Sequence, residues 1–113
     1  MTECLFCKIV TGDVPSDRVH EDDDVIAFRD IAPKAPTHVL VIPRRHILDA
    51  HALTAADGDL LAKLFDAARL VADHAGLENG YRVVTNIGPE SGQTVFHLHF
   101  HVLGGRPMAW PPG

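Results

Sequence analysis

Cysteine is scarce in this chain, with two among 113 residues, and no apolar stretch approaches the length of a membrane span. The first residues are acidic and cysteine-bearing where a secretory leader has a basic region and an apolar run. The expected compartment is therefore the cytoplasm, with no membrane partner. No repeat, low-complexity tract or long linker divides the chain. Ten lysines and arginines face fifteen aspartates and glutamates, a formal net charge of −5. That leaves no basic field for tight nonspecific binding, so nucleic acid is not an expected partner. An anion bound here needs a local site.

What is present is ordinary for a globule: 46% hydrophobic and 22% charged residues, enough for a packed core and too apolar for extensive disorder. The length suits one domain, residues 1–113. The mostly apolar segment Cys4 to Val10, followed by Gly12 and Pro15, reads as a short helix and a turn. The acidic run Glu21 to Asp24 reads as a solvated turn. Val25 to Phe28 and Val39 to Ile42 are strand candidates, the second a buried central strand closed by Pro43. Thr54 to Asp57 resembles a helix cap, and Leu60, Leu61, Leu64, Phe65, Ala68, Val71, Ala72 and Ala75 recur at helical spacing before Gly76. Tyr81 to Thr85 and Val95 to Leu103 complete the strands. The residues alone thus predict an α+β domain, four antiparallel strands around one long helix, with an extended Pro-rich tail from Arg106 to Gly113.

The most informative segment is His97-Leu98-His99-Phe100-His101-Val102-Leu103. Side chains alternate across a strand, so three imidazoles share one face and Leu98, Phe100 and Val102 the other. Neighbouring rings stand roughly 6.6 Å apart on such a strand. Three readings fit: solvated histidines, a three-histidine metal centre, or nucleotidyl transfer with a neutral imidazole as nucleophile. Cys4 and Cys7 form a CxxC, which suits a redox pair, half a zinc site or two small apolar residues.

The seven-residue histidine segment resembles the signature of the histidine triad superfamily. The similarity runs through Phe6-Cys7-Lys8-Ile9, Phe28-Arg29-Asp30-Ile31, Ala35-Pro36-Thr37-His38, Val41-Ile42-Pro43, His46-Ile47, Gly92-Gln93-Thr94 and Gly104-Gly105-Arg106. The ending Trp110-Pro111-Pro112-Gly113 resembles the branch of histidine triad nucleotide-binding (Hint) proteins. This resemblance implies a sheet of about five antiparallel strands with one long and one short N-terminal helix, in a homodimer. It implies hydrolysis of adenosine or guanosine 5′-phosphoramidates, and of aminoacyl adenylates, through a nucleotidyl-histidine. His99 would be the nucleophile, His101 would bond phosphate oxygens, and His38 would support the nucleophile's ionisation state. Purine nucleotides, including AMP and GMP, are the implied partners.

By the same resemblance, Asp30 would accept hydrogen bonds from the ribose diol, and Asn86 would serve the phosphate or ribose side. Phe6, Ile9, Phe28 and Ile31 would wall the purine. Gly92, Gln93 and Thr94 would supply donors to phosphate without a basic residue; Thr94 stands where the family commonly has serine. Trp110 would approach the partner subunit's site and influence substrate choice. Bacterial members with a CxxC imply a structural zinc on Cys4, Cys7, His46 and His97, four protein ligands with no open position for chemistry; a reduced, metal-free CxxC is the alternative. His20, His51 and His74 match no motif. Two other functions remain open: a nucleotide sensor with incidental hydrolysis, and a dinucleoside polyphosphate hydrolase of the neighbouring Fhit-like branch, against which His101 counts because that branch usually has glutamine there.

Overall fold

A strand that is apolar on both faces has to be covered twice, and two strands here are of that kind. The structure is a computed structural model and describes residues 4–113. Its central strands β2 (Val25–Arg29) and β3 (Thr37–Pro43) are almost wholly buried. With β1 (Arg18–Glu21), β4 (Tyr81–Val84) and β5 (Phe100–Gly104) they form one antiparallel sheet in the order β1-β2-β3-β5-β4. Two helices cover its faces: α1 (Leu5–Thr11) and α2 (Gly58–His74).

Alternation assigns each side chain to a layer. Val25, Ala27, Val39, Val41, Phe100 and Val102 pack against Leu64, Ala67, Ala68 and Val71 of α2. Ile26, Phe28, Leu40 and Ile42 point the other way, onto Phe6 and Ile9 of α1. Small residues at 67 and 68 let α2 lie close to the sheet. Its entry is fixed by Thr54: Thr54 Oγ1 accepts from the Ala56 N–H at 3.2 Å, and the Asp57 carboxylate accepts from the Thr54 N–H at 2.9 Å. This is a capping box on the 3-10 turn Ala55–Asp57 that leads directly into α2. α1 ends at Gly12, whose φ of 88° lets its N–H turn back to the Ile9 carbonyl.

The five-stranded antiparallel α+β fold agrees with the family expectation; the four-strand reading of the residues alone missed β1. Arg18-Val19-His20-Glu21 carries one apolar residue among charged ones, which is how a solvated edge strand reads. Glu21 ends that strand instead of opening the turn. The last strand is also shorter than expected, starting at Phe100 and not at Val95. The β3–β5 register pairs Val41 with Phe100 and Thr37 with Gly104, so Pro43 falls opposite Leu98. Proline has no N–H to continue a ladder, and residues 95–99 leave the sheet. The Leu98 N–H goes to the Ile47 carbonyl at 2.6 Å. Among the described residues, no helix is long and apolar enough to cross a membrane.

Candidate functional site

The alternation expected of the histidine segment survives the loss of its ladder. Leu98, Phe100 and Val102 join the α2 side of the core, while the His97 and His99 rings meet the Phe6 ring edge-on, with centroids 5.9 and 5.1 Å away, on the α1 side. His101 stands beside His99 with ring centroids 5.0 Å apart, and beside His38, on β3, at 5.2 Å. The Thr85 hydroxyl donates to the His99 carbonyl at 2.9 Å and fastens the backbone at the centre of the row.

Hydrogen bonds assign each ring a tautomer. His99 Nδ1 lies 2.7 Å from the His97 carbonyl oxygen, which only accepts. Nδ1 therefore carries the proton, and Nε2 keeps a lone pair. For His38 the logic reverses: the Lys34 backbone N–H donates to its Nδ1 at 3.0 Å, so its proton sits on Nε2. That Nε2–H faces His101 Nδ1 at 2.9 Å, with an Asp30 carboxylate oxygen 3.4 Å away. His101 then accepts at Nδ1 and carries its proton on Nε2. Adjacent imidazoles consequently present opposite chemistry, a lone pair at His99 and a donor at His101.

Charge state agrees with this assignment. Burial pushes His38 and His99 below the ordinary imidazole value, with the Asp30 carboxylate opposing the shift in both. Burial, then repulsion from His99 and His38, lowers His101 to about 4. All three rings are neutral near pH 7.

The lone pair and the donor border a cavity of about 280 Å³ between α1 and the sheet. Phe6, Ile9, Phe28 and Leu40 form its apolar walls, and Asp30, Thr94, His99 and His101 contribute polar groups. Phe6 and Phe28 meet edge to face with centroids 5.5 Å apart. Ile31 lies at the rim, its side chain otherwise fully in solvent. The structure thus gathers eight of the expected nucleotide-site residues: Phe6, Ile9, Phe28, Asp30, Ile31, Thr94, His99 and His101.

Others lie outside this cavity in the single chain. Asn86 and Gly92 do not line it, and Trp110 is largely exposed, with the Arg82 guanidinium 6.0 Å from its ring. Gln93 is buried and already committed. Its Oε1 accepts from the Gly88 N–H at 2.8 Å, and its Nε2 donates to the Leu48 and Val95 carbonyls at 3.0 and 3.2 Å. Gln93 shapes the loop that holds Thr94. Sequence reasoning missed Leu5, Val14, Pro15, Ser16, Arg29, Leu40 and Val95 on the lining and the Lys34 N–H behind His38. Strand alternation from Phe28 could have found Leu40, its cross-strand partner; a backbone N–H leaves no trace in residue identity. A larger hollow of about 520 Å³ opens on the opposite face, between α2 and the sheet near Val19, Thr37 and His74, and none of the paired histidines reaches it.

A second cluster flanks the first. Cys4 Sγ stands 3.4 Å from His97 Nδ1, and Cys7 Sγ stands 3.6 Å from the same nitrogen and 3.4 Å from His46 Nδ1. All four ligand atoms lie within 4.8 Å of one another. Bond lengths for tetrahedral zinc, about 2.3 Å to sulfur and about 2.0–2.1 Å to nitrogen, put neighbouring S and N ligands about 3.6 Å apart, so these residues fit such an ion. His97 Nε2–H donates to the Pro43 carbonyl at 2.9 Å, leaving Nδ1 free to ligate in the manner usual for metal-bound histidine. Burial and the neighbouring Cys4 raise the Cys7 thiol above its ordinary value. Asp30, His38 and His101 also come within ligating distance of one another but do not fit a metal. Ligation through His38 Nε2 requires its proton on Nδ1, where the Lys34 N–H already points.

Comparison with known proteins gives one answer. The family model described as the HIT domain matches residues 11–108. A HIT-like protein of Synechococcus elongatus is 50% identical over 111 residues, covering 98% of this chain and 97% of the relative. A 14 kDa zinc-binding protein of Brassica juncea is 44% identical over 113 residues, covering 98% of this chain and all of the relative. The crystal structure of a HIT family hydrolase from Legionella pneumophila superposes with a TM-score of 0.96 at 49% identity, covering 98% of this chain and 100% of that one.

Proposed function

The chain belongs to the HIT domain family, and from that membership we propose that it is a nucleotide-binding hydrolase, specifically a purine nucleoside phosphoramidase. The observation carrying this reading is the opposed pair of tautomers at the cavity: an Nε2 lone pair on His99 beside an Nε2–H on His101. A solved relative bears the name hydrolase, which supports the class of reaction. The P–N specificity rests on the family resemblance.

In this mechanism His99 Nε2 attacks the α-phosphorus. A bond forms from Nε2 to phosphorus as the P–N bond to the leaving amine breaks, and the amine departs with that electron pair and takes up a proton. The His97 carbonyl holds Nδ1–H throughout, stabilising the positive charge that grows on the ring as its lone pair is used. His101 Nε2–H bonds a phosphoryl oxygen; its neutrality makes it a directional donor. Water then attacks phosphorus and gives up a proton to solvent, which replaces the one the amine took from it, His99 leaves with the Nε2 pair, and the nucleoside monophosphate is released. Asp30 accepts from the ribose diol, Phe6, Ile9, Phe28 and Ile31 enclose the purine, and Thr94 adds a hydroxyl near phosphate. Gln93 shapes the loop that carries Thr94, and by the family resemblance Gly92 would serve the phosphate and Asn86 the phosphate or ribose side.

Cys4, Cys7, His46 and His97 would hold structural zinc, which a zinc-binding relative supports; when bound, the ion supplies cross-linking of α1 to the histidine segment and no open coordination position. The free thiols of Cys4 and Cys7 suit a reducing compartment such as the cytoplasm. The outer edge of β4, with exposed Tyr81, is where a second copy would pair, and by the family resemblance Trp110 would then approach the partner's site. Incubation with adenosine 5′-phosphoramidate followed by mass spectrometry tests the reading: an AMP adduct on His99 is expected. Saturable AMP binding with neither turnover nor adduct would identify a nucleotide sensor instead.

A further inference from the structure

We infer that Arg106 is a positioning residue: together with Gly105 it clamps the loop between β2 and β3, and through Lys34 it fixes the tautomers of His38 and His101. The inference rests on the reading of His101 as the donor to a phosphoryl oxygen. It gives the Gly104-Gly105-Arg106 turn a part in the reaction, although Arg106 does not line the cavity.

Residues 31–36 belong to no ladder, since β2 pairs with β3 only as far as Arg29 and Val39. Yet the Lys34 N–H in this loop is the donor on His38 Nδ1 at 3.0 Å, the contact from which both tautomers follow. In a regular ladder the neighbouring strand would hold such a group in place; here a side chain does. The β3–β5 register sets Thr37 opposite Gly104, which brings the turn after β5 alongside the loop. Arg106 then donates to the Lys34 carbonyl twice, from Nη2 at 2.9 Å and from Nε at 3.3 Å. Its Nη1 donates to the Pro107 carbonyl at 3.0 Å, so these bonds all go to main chain. Gly105 lets the turn come this close. Its φ is 90°, and a Cβ there would stand 2.8 Å from the Pro36 Cβ, well inside van der Waals contact, so glycine alone seats the turn against the loop. Lys34 is gripped by its carbonyl, Pro36 by its ring, and the Lys34 N–H is left aimed at His38.

A neutral imidazole that receives a hydrogen bond at Nδ1 keeps its proton on Nε2. In His38 that proton faces His101 Nδ1 at 2.9 Å, which sends the His101 proton to its own Nε2, on the phosphate side. Without the guanidinium the Lys34 N–H swings off Nδ1, and the Nδ1–H tautomer of His38 becomes populated. In those molecules His38 Nε2 carries a lone pair and His101 donates to it from Nδ1. His101 Nε2 then meets the phosphoryl oxygen with a lone pair instead of a hydrogen. The attacking atom, His99 Nε2, is untouched, so the loss falls on charge stabilisation alone. Removing such a donor outright costs about 10²–10³-fold in rate, and partial loss of the right tautomer predicts roughly tenfold.

The test compares the full-length protein with Arg106→Met and Arg106→Lys, all carrying ¹⁵N-labelled histidine. Arg106 is exposed, and methionine keeps its aliphatic stem while removing every donor, so the fold is retained. Long-range ¹H–¹⁵N NMR reads the His38 and His101 tautomers, and single-turnover mixing with adenosine 5′-phosphoramidate reads adduct formation. Titration with adenosine, which has no phosphate, reads the base and ribose contacts. The expected result is a single Nε2–H form at both rings in the unaltered protein and mixed forms in Arg106→Met. Adduct formation in that variant slows about tenfold, while the Kd for adenosine stays within about twofold, because uniform binding is not what the clamp supplies. Arg106→Lys, with one ammonium for the same carbonyl, recovers the single forms and most of the rate. Single Nε2–H forms at both rings in Arg106→Met overturn the inference, and so does an unchanged rate beside mixed forms. Absence of any adduct in the unaltered protein overturns the phosphoramidase reading instead, and the tautomer spectra still decide the clamp.

Discussion

At the scale of single residues, this site works by denying protons to some nitrogens and assigning them to others. His99→Ala removes the attacking lone pair and should lower phosphoramidate turnover by roughly a thousandfold or more, the scale on which losing a covalent nucleophile acts; steady-state kinetics with AMP binding as a control checks this. The lone pair of His99 sets the pH dependence. Because burial pushes His99 below the ordinary imidazole value, the rate of adduct formation should hold at pH 6.5, where an ordinary imidazole is about half protonated, and fall only at lower pH as Nε2 takes up a proton, while His101 keeps its Nε2–H in either charge state. Stability follows the same shift. His38 and His101 bind protons more weakly folded than unfolded, so the unfolded chain gains protons first on acidification. The denaturation midpoint should therefore be flat above about pH 6.5 and decline between there and about pH 4, measurable by urea titration at stepped pH. A midpoint that rises on acidification through that range would contradict the buried neutral rings.

Secondary-structure elements decide where those residues can stand. α2 presents Leu64, fully buried, to Val25, Ala27 and the strands beside them. Leu64→Ala should cost about 2–5 kcal/mol, a lost side chain plus the cavity it leaves, read from chemical denaturation. The loop before the histidine segment depends on a single side chain. Gln93→Leu strips the Gly88 N–H of its acceptor and two carbonyls of their donor, and should cost about 1–3 kcal/mol while loosening amide exchange protection at Gly88. A loop unaffected by that change would mean that backbone contacts alone hold it. The element least legible beforehand was β1. Its residues are too polar to look like a strand, and it exists because β2 offers it an open edge with which to pair.

For the whole molecule, the cluster of Cys4, Cys7, His46 and His97 links the N-terminal helix, the exit from β3 and the approach to β5. Zinc removal should lower the thermal midpoint and expose α1 to exchange before the rest of the chain, since a ligand bound only by the folded state stabilises it by mass action. Equal melting with and without chelator would separate these residues from metal binding. Light scattering should return about twice the 12.3 kDa chain mass if β4 is a dimer edge, whereas the monomer mass would leave Trp110 without a partner site to approach.

Residue identity alone settles which side chains share a face. Alternation from His97 to His101, the helical spacing from Leu60 to Ala75, and the apolar runs at Val25 and Val39 needed no coordinates, because period and polarity are properties of residue identity. It also carried the four ligand types at Cys4, Cys7, His46 and His97. Which nitrogen of each imidazole holds a proton is settled by folding. That choice is made by the His97 and Pro43 carbonyls and the Lys34 N–H, backbone groups that nearly every residue possesses and that become specific only when folding brings them within hydrogen-bond distance of a particular ring. The end of the ladder at residue 100 belongs to the same class: Pro43 is visible in the sequence, but that it falls opposite Leu98 is a fact of register.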